Sequence, residues 1–206
     1  MDIQTWLTFV LASTALLLIP GPTVLLVLSY ALSQGRSVAL ATVAGVALGD
    51  LIAMTASLLG LGALVLASAE LFVALKWVGA AYLIYLGVKL IRSAPDAQLG
   101  KVDMMPAKGV FRHAAAVTAL NPKSIVFFIA FVPQFIDASV PLMPQFVILI
   151  GTFVCMAALN ALAYALLADK LRSKIAKPAV MVGLTRFGGG ALIAMGVATA
   201  TFRRAS

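Results

Sequence analysis

Six apolar runs, residues 3–31, 38–67, 71–91, 113–135, 142–168 and 180–202, are separated by short stretches that hold most of the charged and turn-forming residues. Each run exceeds the about 20 residues that a helix needs to cross a bilayer. None shows the alternating ten-residue segments of a membrane β-barrel. The pattern therefore predicts an all-α polytopic membrane protein with six transmembrane helices. Two runs are interrupted. Ile19-Pro20-Gly21-Pro22-Thr23 falls in the middle of the first, and Ala119-Leu120-Asn121-Pro122-Lys123-Ser124 breaks the fourth 100 residues later.

A proline lacks the N–H of the helical ladder and clashes with the preceding turn, so each break leaves carbonyls without helical partners. Away from water such groups are tolerated only beside protein or a wet cavity. Gly21-Pro22 and Asn121-Pro122 both read as an N-cap followed by proline at the first helical position. Each break thus ends one half-helix and starts another, whose N–H groups and positive dipole end point at mid-membrane. Two broken spans at matching positions in two halves point to a transporter's binding site. A carboxylate or other anion could be held there, with Thr23, Lys123 and Ser124 as further donors. The alternative is a pair of proline kinks that only shape the packing.

Composition sharpens the class. Of 206 residues, 63% are hydrophobic and 11% charged, and the mean hydropathy is +1.08. That leaves one transmembrane domain over 1–206, with a first half at about 1–92, a connecting loop at 93–111 and a second half at about 112–206. The net charge of +8 does not imply nucleic acid, because the basic residues are divided among loops. Arg36, Lys89, Arg92, Lys101, Lys108, Arg112, Lys170, Arg172, Lys174, Lys177 and Arg186 fall on one side, against Lys76, Arg203 and Arg204 on the other. The positive-inside rule then puts both termini outside and the basic loops in the cytoplasm. Three spans per half make the halves inverted repeats. Asp50 and Asn160 lie 110 residues apart, as do Lys76 and Arg186.

Asp50 is the acidic residue deepest in a run, 13 positions beyond Ser37, or about 20 Å of helix. A carboxylate at that depth costs at least about 2.5 kcal/mol, so it should face the bundle interior or water. It could bind a substrate ammonium, carry a proton, or serve as a structural hydrogen-bond partner. Asn160 could meet substrate or tie helices together. Gly45 and Gly49 form a GxxxG pattern that permits close helix approach. Tyr82 and Tyr85 could line a cavity, although packing is the simpler reading, and Gln134 could meet substrate or the membrane interface. Lys76 and Arg186 read as snorkelling side chains. The single histidine, His113, and the single cysteine, Cys155, have no companions at metal-ligand spacing. No metal or cofactor is expected.

Ile19-Pro20-Gly21-Pro22, Gly45-x-x-x-Gly49-Asp50, the stretch from Lys76-Trp77-Val78-Gly79 to Leu83, and Asn121-Pro122-Lys123 with Phe127-Phe128 and Pro133-Gln134-Phe135 together resemble the LysE/RhtB family of bacterial amino-acid exporters. The likeness is clear from residue 3 to about 135 and rests on hydropathy and glycine placement beyond. It implies a plasma-membrane carrier that expels amino acids such as homoserine, threonine, leucine or lysine, coupled to the proton gradient. The implied partners are the amino-acid substrate, the lipid bilayer and, as one option, a second copy in a homodimer. An exporter of a cation or another small solute on the same scaffold is the alternative. An aspartyl intramembrane protease would need a second embedded aspartate, whereas Asp2, Glu70, Asp96, Asp103, Asp137 and Asp169 all fall at run ends or in loops.

Overall fold

The computed structural model describes residues 1–19, 21–67, 69–93, 102–137, 139–175 and 178–201. Pro20 and residues 94–101 of the connecting loop, Gln98 among them, lie outside the described residues, as do the side chains of Lys76 and of the basic cluster 170–177. Helix α1, Ile3–Leu18, is followed by α2, Pro22–Gln34, a 3-10 turn, Gly35–Val38, and α3, Ala39–Ala67. Then come α4, Ala69–Arg92, α5, Ala107–Ala119, and α6, Pro122–Val126. A π-helical turn, Phe127–Phe131, and a 3-10 turn, Val132–Phe135, extend α6, and α7, Leu142–Ile175, and α8, Pro178–Thr201, complete the order. No strand occurs among the described residues. The all-helical expectation therefore holds.

Local chemistry explains where the helices begin and turn. Asp2 caps α1, its carboxylate accepting from the Thr5 N–H at 2.8 Å and the Thr5 hydroxyl at 2.7 Å. These bonds favour the ionised form and hold the Asp2 carboxyl below its ordinary value, the backbone bond most strongly. Gly35, at φ +68°, turns the chain between α2 and α3 in a backbone conformation that side chains disfavour. Both breaks have the predicted caps, with Gly21 and Asn121 extended and proline opening the next helix.

Pro22–Gly60, which contains the Gly35 turn, and Leu142–Ala168 are long and apolar enough to cross a membrane. The pair Ala107–Ala119 and Pro122–Phe135, bent by 41° at the break, adds a third span if counted as one. Helix α1 is apolar too, though shorter. Leu11, Leu40, Ile52, Leu159 and Phe187 stand exposed on the helix surfaces, the reverse of a water-soluble bundle. Inside, one cluster joins Phe9, Leu16, Met54, Leu58, Leu83, Phe127, Phe128, Phe131 and Phe153. A second joins Val24, Val27, Tyr30, Val38, Val46, Val110, Ala114 and Ala161.

Small residues set two helix crossings. A Cβ on Gly45 would lie 2.5 Å from the Phe111 carbonyl oxygen, and one on Gly49 would lie 2.6 Å from Thr118 Cβ. The GxxxG pair thus presses α3 onto α5. Ascending residues meet ascending residues, so these helices run parallel. On α4 and α8, Gly87 abuts Gly189 and Ile193, while Gly196 abuts Ala80 and Ile84. That pairing is antiparallel.

Candidate functional site

The two breaks meet in space. Asn121 Nδ2 donates to Thr23 Oγ1 at 3.1 Å, and the Thr23 hydroxyl also lies 3.3 Å from that of Thr118. Asn121 Oδ1 meanwhile accepts the Lys123 N–H at 3.1 Å and caps α6. The amide therefore starts its own helix with one end and ties down the start of α2 with the other.

Lys123 sends its side chain across to the end of α1. Its Nζ donates to the Leu16 carbonyl at 3.1 Å and the Ile19 carbonyl at 2.9 Å. Asn160 Nδ2 donates to the Leu17 carbonyl at 3.1 Å, and the Tyr164 hydroxyl reaches the Leu18 carbonyl at 3.5 Å. Side chains from α6 and α7 thus take up the carbonyls at the end of α1, of which that of Leu16 also accepts the Ile19 N–H at 3.2 Å, and a cation sits at the negative end of the α1 dipole. The sequence alone suggests Lys123 as a donor to an anion. Two of its three N–H groups instead satisfy backbone oxygens, which leaves one.

Beside these contacts lies a cavity lined by Thr23, Asp50, Asn121, Lys123, Asn160 and Tyr164 among apolar neighbours that include Val24, Val27, Val46 and Ala157. Its empty space, open mouth included, is about 410 Å³. Asp50 is 2% exposed. Its Oδ1 is buried without a hydrogen-bond partner among the described residues. Lys123, on the same cavity, bonds to the α1 carbonyls rather than to this carboxylate. A buried carboxylate oxygen without a partner is costly, and the cost is relieved by taking up a proton or by a donor that arrives from outside the protein.

Of the residues singled out in the sequence, Thr23, Asp50, Asn121, Lys123 and Asn160 line the cavity. Gly21 lies against Lys123, since a Cβ there would come 3.2 Å from Nζ. Pro22 and Pro122 open α2 and α6. Gly45 and Gly49 serve the α3–α5 crossing instead. Tyr82 and Tyr85 pair with each other on the outer surface of α4, ring centroids 5.7 Å apart. Gln134 donates to the Thr199 hydroxyl at 2.8 Å and joins the 3-10 turn to α8. Sequence reasoning missed Tyr164, although its spacing of four from Asn160 puts both on one helix face.

A family model described as LysE type translocator matches residues 14–202. The chain belongs to this family. The homoserine/homoserine lactone efflux protein of Salmonella typhimurium is 34% identical over 206 residues, all of both chains. An uncharacterized membrane protein of Vibrio cholerae serotype O1 is 34% identical over 202 residues, 98% of each. The leucine efflux protein of Klebsiella pneumoniae is 29% identical over 139 residues, 66% of each. No solved structure matches. This LysE type translocator is a multi-pass membrane protein and a transporter rather than an enzyme.

Proposed function

We propose that the protein is a secondary exporter of amino acids, with the cavity at the paired breaks as its substrate site. The observation that carries this reading is the unpartnered, buried Asp50 oxygen beside the remaining N–H of Lys123. A zwitterion answers both. Its ammonium meets the Asp50 carboxylate, and its carboxylate meets Lys123 and the uncapped N–H groups at the start of α2, where Gly21 offers no side-chain cap. Thr23 and Asn121 hold the two breaks in register around it, and Asn160 keeps the end of α1 in place. The names of the Salmonella and Klebsiella relatives support the substrate class.

In this reading six spans form two inverted halves in the bacterial inner membrane, termini outside. The parallel α3–α5 and antiparallel α4–α8 crossings agree with the strict alternation of direction that six spans require. Asp50 of the first half and Asn160 of the second, equivalent in the 110-residue register, both reach the cavity. Asp50 also provides the coupling, since it holds either an ammonium or a proton.

The test is efflux from vesicles reconstituted with purified protein and loaded in turn with labelled homoserine, threonine, leucine and lysine. Outward movement of at least one against its gradient is expected. A vesicle that moves none of them but does move an inorganic cation would replace this function with the cation reading.

A further inference from the structure

The cavity is one-sided. Its lining on α2 (Thr23, Val24, Val27), α3 (Val46, Asp50) and α7 (Ala157 to Tyr164) runs from the breaks towards the helix ends next to Arg36 and the 170–177 cluster. Towards the opposite face the path is filled. One helical turn beyond Ser124 come Phe127 and Phe128, beyond Ala157 comes Phe153, beyond Asp50 comes Met54, and beyond Leu16 comes Ser13. All five are fully buried. Phe128 meets Phe153 edge-on at 4.8 Å, and Phe127 contacts both rings at 6.0 Å. The chain of rings continues through Phe131 and Phe135 to Phe9.

Two features are unlike an ordinary apolar core. The rings of Phe127, Phe128 and Phe131 stand on the π-helical turn, closed by the Val132 N–H bonding to the Phe127 carbonyl. Such turns are rare, occur mostly as single insertions in α-helices, and are frequent at functional sites. The second is Ser13, fully buried on the face of α1 shared with Phe9 and Leu16, whose hydroxyl has no partner among the described residues. A helical serine can ordinarily bond back to the carbonyl four residues earlier, as Thr8 does to Gln4 and Thr14 to Val10 on this same helix.

We propose that Phe127, Phe128 and Phe153 are the outer gate of the translocation path, that the π turn is where it opens, and that the Ser13 hydroxyl is the polar contact the substrate meets in passing. The identity of the substrate and the assignment of this gate to the outer side rest on the exporter function and orientation proposed above; the place of the rings next to the cavity does not. Reverting the π turn to α geometry removes one residue from the turn and rotates the helix beyond it by about 100° relative to the helix before it. That swings Phe131 and Phe135 away from Phe127, removing the rings that back it and freeing Phe127 and Phe128 to turn off Phe153, while Lys123 and Ser124 keep their places in the site. Ser13 then faces an opened path, and its hydroxyl gains a transient partner.

The test uses the full chain with Cys155→Ser and Ser13→Cys, treated from the outside with a membrane-impermeant thiol reagent. Labelling should be slow at rest, and severalfold faster in Phe128→Ala and Phe153→Ala and during turnover. Phe128→Leu, which preserves an apolar core, should give a smaller rise in the same direction should either alanine variant fail to fold. Equal labelling in every folded background would overturn the gate. Separately, Ser13→Ala removes an unsatisfied hydroxyl and should leave the melting temperature unchanged or raised while export slows severalfold. Unaltered export would remove Ser13 from the route. Faster labelling in the opened variants, with no amino acid transported by the parent chain, would keep the gate and overturn the substrate class alone.

Discussion

At the scale of single residues, Lys123 shows how one side chain is committed twice. Its distance along the chain from Leu16 and Ile19, 107 and 104 residues, makes the contact a tie between the two halves as much as a cap on α1. Replacing it with methionine keeps the length and deletes three donors. The buried Ile19 carbonyl then loses its partner, at about 1–3 kcal/mol, while the Leu16 carbonyl keeps the Ile19 N–H at 3.2 Å. Lys123→Met is therefore expected to lower thermal stability in detergent and also to weaken amino-acid binding, with Lys123→Arg restoring part of both. Binding that weakens at wild-type stability would show that the caps contribute little. The sequence made Lys123 and Asp50 conspicuous because charges inside apolar runs are costly and hence rare. It could not say which carbonyls Lys123 satisfies, since that depends on where α6 lies against α1. Tyr164 escaped notice because a tyrosine in an apolar run carries no comparable penalty.

At the scale of elements, apolar runs and cap–proline pairs translated directly into helices and breaks, because burial of backbone groups in lipid leaves the chain few alternatives. The π turn had no such signal. Nothing in Phe127-Phe128-Ile129-Ala130-Phe131 distinguishes it from an α-helical stretch, and the extra residue is fixed by packing on α4 and α7. The GxxxG pattern was legible as a crossing but not as the support of the site. It brings α3 against Phe111, Ala115 and Thr118, directly beside Asp50 and the hydroxyl pair of Thr23 and Thr118. Gly49→Ala should overpack this contact and cost about 1–3 kcal/mol, with a loss of export because Asp50 moves with α3. A Cβ on Gly60 meets nothing within 4 Å among the described residues, so Gly60→Ala should leave both melting temperature and export at the parental level. Equal behaviour of the two variants, measured by thermal melts and vesicle efflux, would refute the crossing's role.

At the scale of the whole molecule, orientation and energy coupling are one question, because the proton gradient has a direction. The cavity extends towards the side to which the sequence assigns eleven basic residues. A cysteine at Gln98, in a Cys155→Ser background, should accordingly resist an impermeant thiol reagent in intact cells and react after lysis. In the proposed cycle that side is cytoplasmic, and the ionised Asp50 carboxylate binds a substrate ammonium from inside. Once the outer gate opens, a proton from the acidic exterior takes the place of the ammonium and frees the substrate to leave. The neutral carboxyl then returns, and loss of its proton to the cytoplasm resets the site. Every step uses the same oxygen, which gives a reason for its lack of a partner within the protein. Asp50→Asn keeps the shape and a hydrogen-bonding group but neither ionises nor exchanges. It should insert and fold, lose uphill export, and keep at most a downhill leak whose rate is the same whether the exterior is acidic or neutral. The measurement is labelled amino-acid efflux from reconstituted vesicles with and without an imposed pH difference. Uphill export by Asp50→Asn that still responds to the pH difference would move the coupling to another group and leave Asp50 a structural residue of α3.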